Sequence, residues 1–99
     1  MFFALTLSTS AISPLLAEAK APTGTIVVLG DSISAAYGIQ REEGWVYLLE
    51  QYLATNRAGW QVVNASISGE TTGGALARLP GVLDATAPKI VIVELGGND

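Results

Sequence analysis

Val27-Val28-Leu29-Gly30-Asp31-Ser32-Ile33-Ser34 is the stretch on which the reading of this chain turns. A short, β-branched apolar run halts at a glycine and gives way to a polar turn that carries a serine. A strand with no polar residue on either side belongs in a parallel sheet covered by helices on both faces. The turn therefore sits where such sheets bind ligands, beyond the carboxyl ends of the strands. Ser32 stands at its tip. By position alone it reads as either a nucleophile or a helix cap, and Asp31 or Ser32 is placed to cap a helix running towards Tyr37.

Outward from that stretch, the same pattern recurs twice. Trp60 to Ala65 reads as a second strand, followed by the polar turn Ser66-Ile67-Ser68-Gly69-Glu70-Thr71-Thr72. Lys89 to Leu95 reads as a third, followed by Gly96-Gly97-Asn98-Asp99. Between the first two strands, Trp45, Leu48, Leu49, Tyr52 and Leu53 recur at helical spacing, which predicts a helix over 43–55 with one apolar face. Glu42 and Glu43 stand in front of it, where acids favour the positive end of a helix. Asn56 and Gly59 end it. A second helix is expected from Thr72 to Leu79, and a short one from Pro80 to about Ala85, because proline suits the first turn of a helix.

Strand, helix, strand, helix, strand implies parallel strands joined by right-handed crossovers. The expected fold is α/β: a three-layer α/β/α, flavodoxin-like parallel sheet of about three strands. With strand order 2-1-3, the first and third turns flank one crevice. Gly69 and Asn98 then become candidates beside Ser32. A glycine keeps a backbone N–H open to a ligand, and an asparagine amide can donate to an oxyanion. Each also has an ordinary role, as a turn glycine and as an Asx turn. The uses of Glu94 and Asp99 are left open by the sequence.

The totals narrow the function. Hydrophobic residues make up 49% and charged residues 14%, too apolar for a disordered chain. A net charge of −4 and the lack of a basic cluster argue against a nucleic-acid partner. With no cysteine there is neither a disulfide framework nor a thiolate metal site. The chain also has no histidine, the usual general base for a serine nucleophile.

Residues 1–21 read differently from the rest. An apolar run from Phe2, diluted by Ser and Thr, reaches Leu16 and ends in small residues at Ala17-Glu18-Ala19 and Ala19-Lys20-Ala21. This is the h-region and cleavage pattern of a secretory signal peptide, though no Lys or Arg precedes the run. An amphipathic helix or frayed tail is the alternative. The run is too short and too polar for a stable membrane span. The expectation is a signal peptide over 1–21, one domain over 22–99, and a periplasmic or secreted protein.

Gly30-Asp31-Ser32-Ile33-Ser34 resembles the first sequence block of the GDSL, or SGNH, hydrolases. Gly69, within Asn64-Ala65-Ser66-Ile67-Ser68-Gly69-Glu70, resembles the glycine of the second block. Gly96-Gly97-Asn98-Asp99 is similar to the third, G-x-N-D. Ser34-Ala35-Ala36-Tyr37 and Ala77-Arg78-Leu79-Pro80 point to the arylesterase, acyl-CoA thioesterase I and lysophospholipase subgroup. The resemblance implies a serine hydrolase acting on small-molecule carboxylic esters or thioesters, with no metal or organic cofactor. It implies Ser32 as nucleophile, with its own N–H, the Gly69 N–H and the Asn98 amide forming the oxyanion hole. The family's fourth block, a D-x-x-H, is absent, so the catalytic Asp and His are missing and the chain reads as the N-terminal part of such a domain. Asp99 belongs to the third block and is not that acid. The other readings are a flavodoxin-like module that binds a phosphate or acyl ligand without turnover, and an inactive remnant.

Overall fold

The computed structural model describes residues 23–99; the expected signal peptide lies outside them. Three strands, β1 (Gly24–Gly30), β2 (Trp60–Asn64) and β3 (Ile90–Glu94), alternate with two helices, α1 (Trp45–Asn56) and α2 (Thr72–Thr86). All pairings are parallel, in the order β2-β1-β3. Val27 meets Val63 on one side and Val91 on the other. Right-handed crossovers put α1 and α2 on opposite faces, because the chain leaves β1 in one direction and crosses back over it to reach β3.

β1 is the middle strand and supplies most of the core. Ile26, Val27, Val28 and Leu29 are all buried, and Val27 and Val28 are wholly inaccessible. At about 25 cal/mol per Å2, burying each such side chain contributes about 1.5–3 kcal/mol. A strand apolar on both faces therefore occupies the only place in a three-stranded sheet with a neighbour on each side.

Three expectations need correction. First, no helix begins at Asp31. Residues 32–38 form a run of turns: the Ala35 N–H donates to Asp31 O at 2.9 Å and the Tyr37 N–H to Ser32 O at 3.1 Å. Ala36 then takes a left-handed φ of 60°, which a helix cannot continue through. Second, α1 begins at Trp45, after a short 3-10 turn over Arg41–Glu43. Glu42 and Glu43 lie in that turn, and Glu43 Oε1 accepts the Gln40 N–H at 3.1 Å instead of facing the front of α1. The buried stripe of α1 is also displaced from the expected one: Val46 and Leu53 are buried, whereas Leu48 and Tyr52 are exposed.

Third, α2 is a single helix with Pro80 inside it. Proline removes one intrahelical hydrogen bond, the one to the carbonyl of Leu76. Pro80 is exposed and Leu76 is 69% exposed, so that carbonyl sits at the solvent side of the helix. The ends are well fixed. Thr71 Oγ1 accepts the Gly74 N–H at 3.0 Å as the N-cap, and Ala87 closes the helix in a left-handed conformation.

Candidate active site

The carboxyl ends of the three strands carry the three polar turns, and backbone and side-chain hydrogen bonds draw these turns together. The β1–β2 ladder continues past β2, through the Ala65 N–H to Val28 O at 2.8 Å and the Ile67 N–H to Gly30 O at 3.0 Å. The second turn is thereby stitched to the end of β1. Arg78, from α2, braces it with Nε on Glu70 Oε2 at 2.7 Å and Nη2 on the Ala65 carbonyl at 2.9 Å.

The third turn closes onto the other two. Asn98 Nδ2 donates to the Glu70 carbonyl at 3.0 Å. Gly97 lies against the first turn, with a side-chain position 3.7 Å from Asp31 Oδ2. Asp99 receives the Thr72 N–H at 2.8 Å and the Thr72 hydroxyl at 2.9 Å. It thus places a carboxylate at the amino end of α2, where a negative charge is favoured.

Each residue singled out from the sequence has a definite place. Ser32 is half-buried, immediately after Asp31 and two residues past the end of β1. Gly69 is exposed, with a φ of 85° and open space where a side chain would stand. Only glycine adopts that backbone readily, and its lack of a side chain leaves the space clear. Asn98 is exposed, and one hydrogen on its amide nitrogen is engaged by Glu70, the residue that follows Gly69. The structure thus brings Asn98 beside Gly69, and Gly97 beside the turn that carries Ser32.

Sequence reasoning left Glu94 without a role and passed over Ser34 as a site residue. They form the support beneath the first turn. Ser34 is 2% exposed. Its hydroxyl donates to Glu94 Oε1 at 2.7 Å and accepts from the Trp45 indole N–H at 3.0 Å. Its carbonyl accepts from Asn64 Nδ2 at 2.8 Å. Glu94 Oε1 also takes the Asp31 N–H at 3.4 Å. The turn is therefore tied to α1, β2 and β3 at once, within two residues of Ser32. Gly30 permits the close approach: a side chain there would come within 2.7 Å of Ser34 Oγ and 2.9 Å of Glu94 Oε1. Asp31 is itself buried, and its carboxylate holds the Ile33 N–H at 3.0 Å. A carboxylate interrupting an apolar strand at its last position was the available signal.

A cavity of about 210 Å3 lies behind this support, with Ala36, Tyr47, Glu50 and Asn64 among its walls. Ser32, Gly69 and Asn98 do not line it. Among the described residues, no three His, Cys, Asp or Glu side chains cluster in a way that would hold a metal ion. No helix among them is long and apolar enough to cross a membrane.

The chain is similar to several known proteins. The esterase TesA of Pseudomonas aeruginosa is 51% identical over 85 residues, a match covering 86% of this chain and 42% of that protein. The thioesterase 1/protease 1/lysophospholipase L1 of Escherichia coli K12 is 45% identical over 85 residues, covering 86% of this chain and 39% of that one. Among solved structures, the psychrotrophic esterase EstA of Pseudoalteromonas sp., inhibited by monoethylphosphonate, superposes with a TM-score of 0.71 at 53% identity, over 77% of this chain and 42% of that one. The chain thus spans about two fifths of the length of the relatives it matches. The family model of the GDSL-like lipases and acylhydrolases matches residues 28–99, and the chain belongs to that family.

Proposed function

We propose that this chain carries the nucleophile and oxyanion-binding part of a serine hydrolase acting on carboxylic esters or thioesters. The observation that carries the reading is the convergence of three strand-end turns, bearing Ser32, Gly69 and Asn98, at one edge of the sheet. In this reading Ser32 Oγ attacks the acyl carbonyl and passes its proton to a base. The alcohol or thiol leaves with a proton, and water then releases the carboxylic acid from the acylated serine. The N–H groups of Ser32 and Gly69 and the free hydrogen of the Asn98 amide hold the oxyanion, each contributing about a hundred- to a thousand-fold in rate.

The chain contains no histidine, so its own residues do not include the usual base, and the isolated chain is expected to be inactive. The leader-like residues 1–21, which lie outside the described structure, support placing the protein in the periplasm or outside the cell.

Residues 23–99, joined to the portion of the P. aeruginosa esterase TesA outside its match to this chain, test the reading. The chimera is expected to hydrolyse p-nitrophenyl butyrate. Ser32→Ala should lower kcat by at least about a thousand-fold, and an alkyl phosphonate probe should add its mass at Ser32. A folded chimera whose hydrolysis ignores Ser32→Ala would overturn the assignment. Ligand retention without turnover would favour a binding module.

A further inference from the structure

Gly69 and Asn98 lie on different turns but share one support. The turn Ile67-Ser68-Gly69-Glu70 is closed by the Glu70 N–H, which donates to Ile67 O at 3.1 Å, and its positive φ falls at Gly69. Asn98 Nδ2 rests on the carbonyl of the same Glu70 at 3.0 Å. Whatever fixes Glu70 therefore fixes both the Gly69 N–H and the Asn98 amide. Burial does little of this, since Ile67, Ser68, Gly69 and Asn98 are all exposed.

Arg78 supplies what burial does not. From α2 its guanidinium reaches both ends of the second turn, with Nη2 on the Ala65 carbonyl at 2.9 Å where the chain enters and Nε on Glu70 Oε2 at 2.7 Å where it leaves. These are neighbouring donors of one rigid plane, so they hold entry and exit at a set separation, which the single ammonium of a lysine does not reproduce. The Glu70 side chain is only 12% exposed, and its other oxygen takes the Thr71 N–H at 3.3 Å. Gly74 leaves room for it, since any side chain there would overlap Glu70 Oε1. We propose that Arg78, acting through Glu70, is a positioning residue that aims two of the three oxyanion donors, the Gly69 N–H and the Asn98 amide; the proposal rests on the hydrolase reading above. Charge develops on the oxyanion only in the transition state, so a misaimed donor lowers kcat and leaves KM nearly unchanged.

Arg78→Lys tests this in two settings. In the full chain, the NMR order parameter of the Gly69 N–H is expected to fall from about 0.85 to below about 0.6, with those of β1 unchanged. In the TesA chimera, kcat for p-nitrophenyl butyrate, per Ser32 titrated by the phosphonate probe, should fall about ten- to a hundredfold, with KM changed less than about threefold. Arg57→Lys, exposed at the end of α1, should alter neither reading. In an Asn98→Ala chimera the same Arg78→Lys should cost several-fold less, because one of the two donors it aims is gone. An unchanged Gly69 order parameter, a kcat within about twofold of the parent chimera, or losses that simply multiply with that of Asn98→Ala would overturn the proposal. If the Gly69 order parameter falls but hydrolysis by the chimera ignores Ser32→Ala, Arg78 remains the brace of the turn and it is the hydrolase reading that falls.

Discussion

The first and third polar turns sit beside one another at the same sheet edge but are built in opposite ways. The turn after β1 is anchored inward: Asp31 and Ser34 are buried, and Ser34 bonds to Trp45, Asn64 and Glu94, which come from three different elements. The turn after β3 is anchored outward, with Asn98 and Asp99 held by exposed hydrogen bonds to the second turn and to α2. A group that must hold one position through a reaction benefits from rigid support. A donor that meets a ligand at the surface must stay accessible. The difference teaches that the two turns answer to different energies: substitutions in the first are paid in stability, and those in the third mainly in function.

Substitutions can break or sharpen that contrast, with urea unfolding of the chain as the readout. The largest effect is expected from Glu94→Leu, which leaves the Ser34 hydroxyl and the Asp31 N–H facing an apolar side chain. Unsatisfied part-buried groups of this kind cost about 1–3 kcal/mol each, so a loss of about 3 kcal/mol is expected. Ser34→Ala comes next, at about 2 kcal/mol, since the Trp45 indole N–H and the Glu94 carboxylate lose their common partner. A loss below about 0.5 kcal/mol for either would mean that the first turn is not held from below. Gly69→Ala forces a left-handed backbone on alanine and should cost about 1 kcal/mol, although the space around it is open. Asp99→Asn weakens a carboxylate at a helix start and should cost about 0.5 kcal/mol, shrinking as salt is added. Asn98→Ala should cost least, under about 0.5 kcal/mol, because its hydrogen bond is exposed. An Asn98→Ala loss equal to that of Ser34→Ala would erase the contrast.

The strands were legible because their signal is local. Val27 to Leu29 and Ile90 to Val93 are apolar on both faces, a property that needs no knowledge of neighbours. Parallel pairing followed from alternation; the order 2-1-3 came only by analogy with flavodoxin-like sheets, and the sheet is observed as β2-β1-β3. The first turn was misread because Asp31-Ser32 also resembles a helix start. The side chains that tie it down are Trp45, Asn64 and Glu94, the last about sixty positions away, and no sequence pattern at residue 31 announces them. Pro80 was misread for a related reason. Its local preference is for a helix start, but α2 is fixed by the Thr71 cap and by Arg78 reaching the second turn, so tertiary anchoring outweighs one lost backbone bond. The buried stripe of α1 is likewise set by Val46 and Leu53 packing inward while the Trp45 indole reaches Ser34.

Placing the earliest strand at the centre of the sheet has a consequence for the time course of folding. The β1 partners lie downstream: Ile26 pairs with Val62 and then with Ile90. At a synthesis rate of about 5–20 residues per second, β3 follows β1 out of the ribosome by roughly 3–13 seconds. For the first half of that interval the most buried strand has no partner, and until β3 is made only its β2 side is paired. Non-local parallel pairing is itself slow, because loop closure precedes its reward. A nascent chain of this design leaves one side of its central strand unpaired until its last described strand is made.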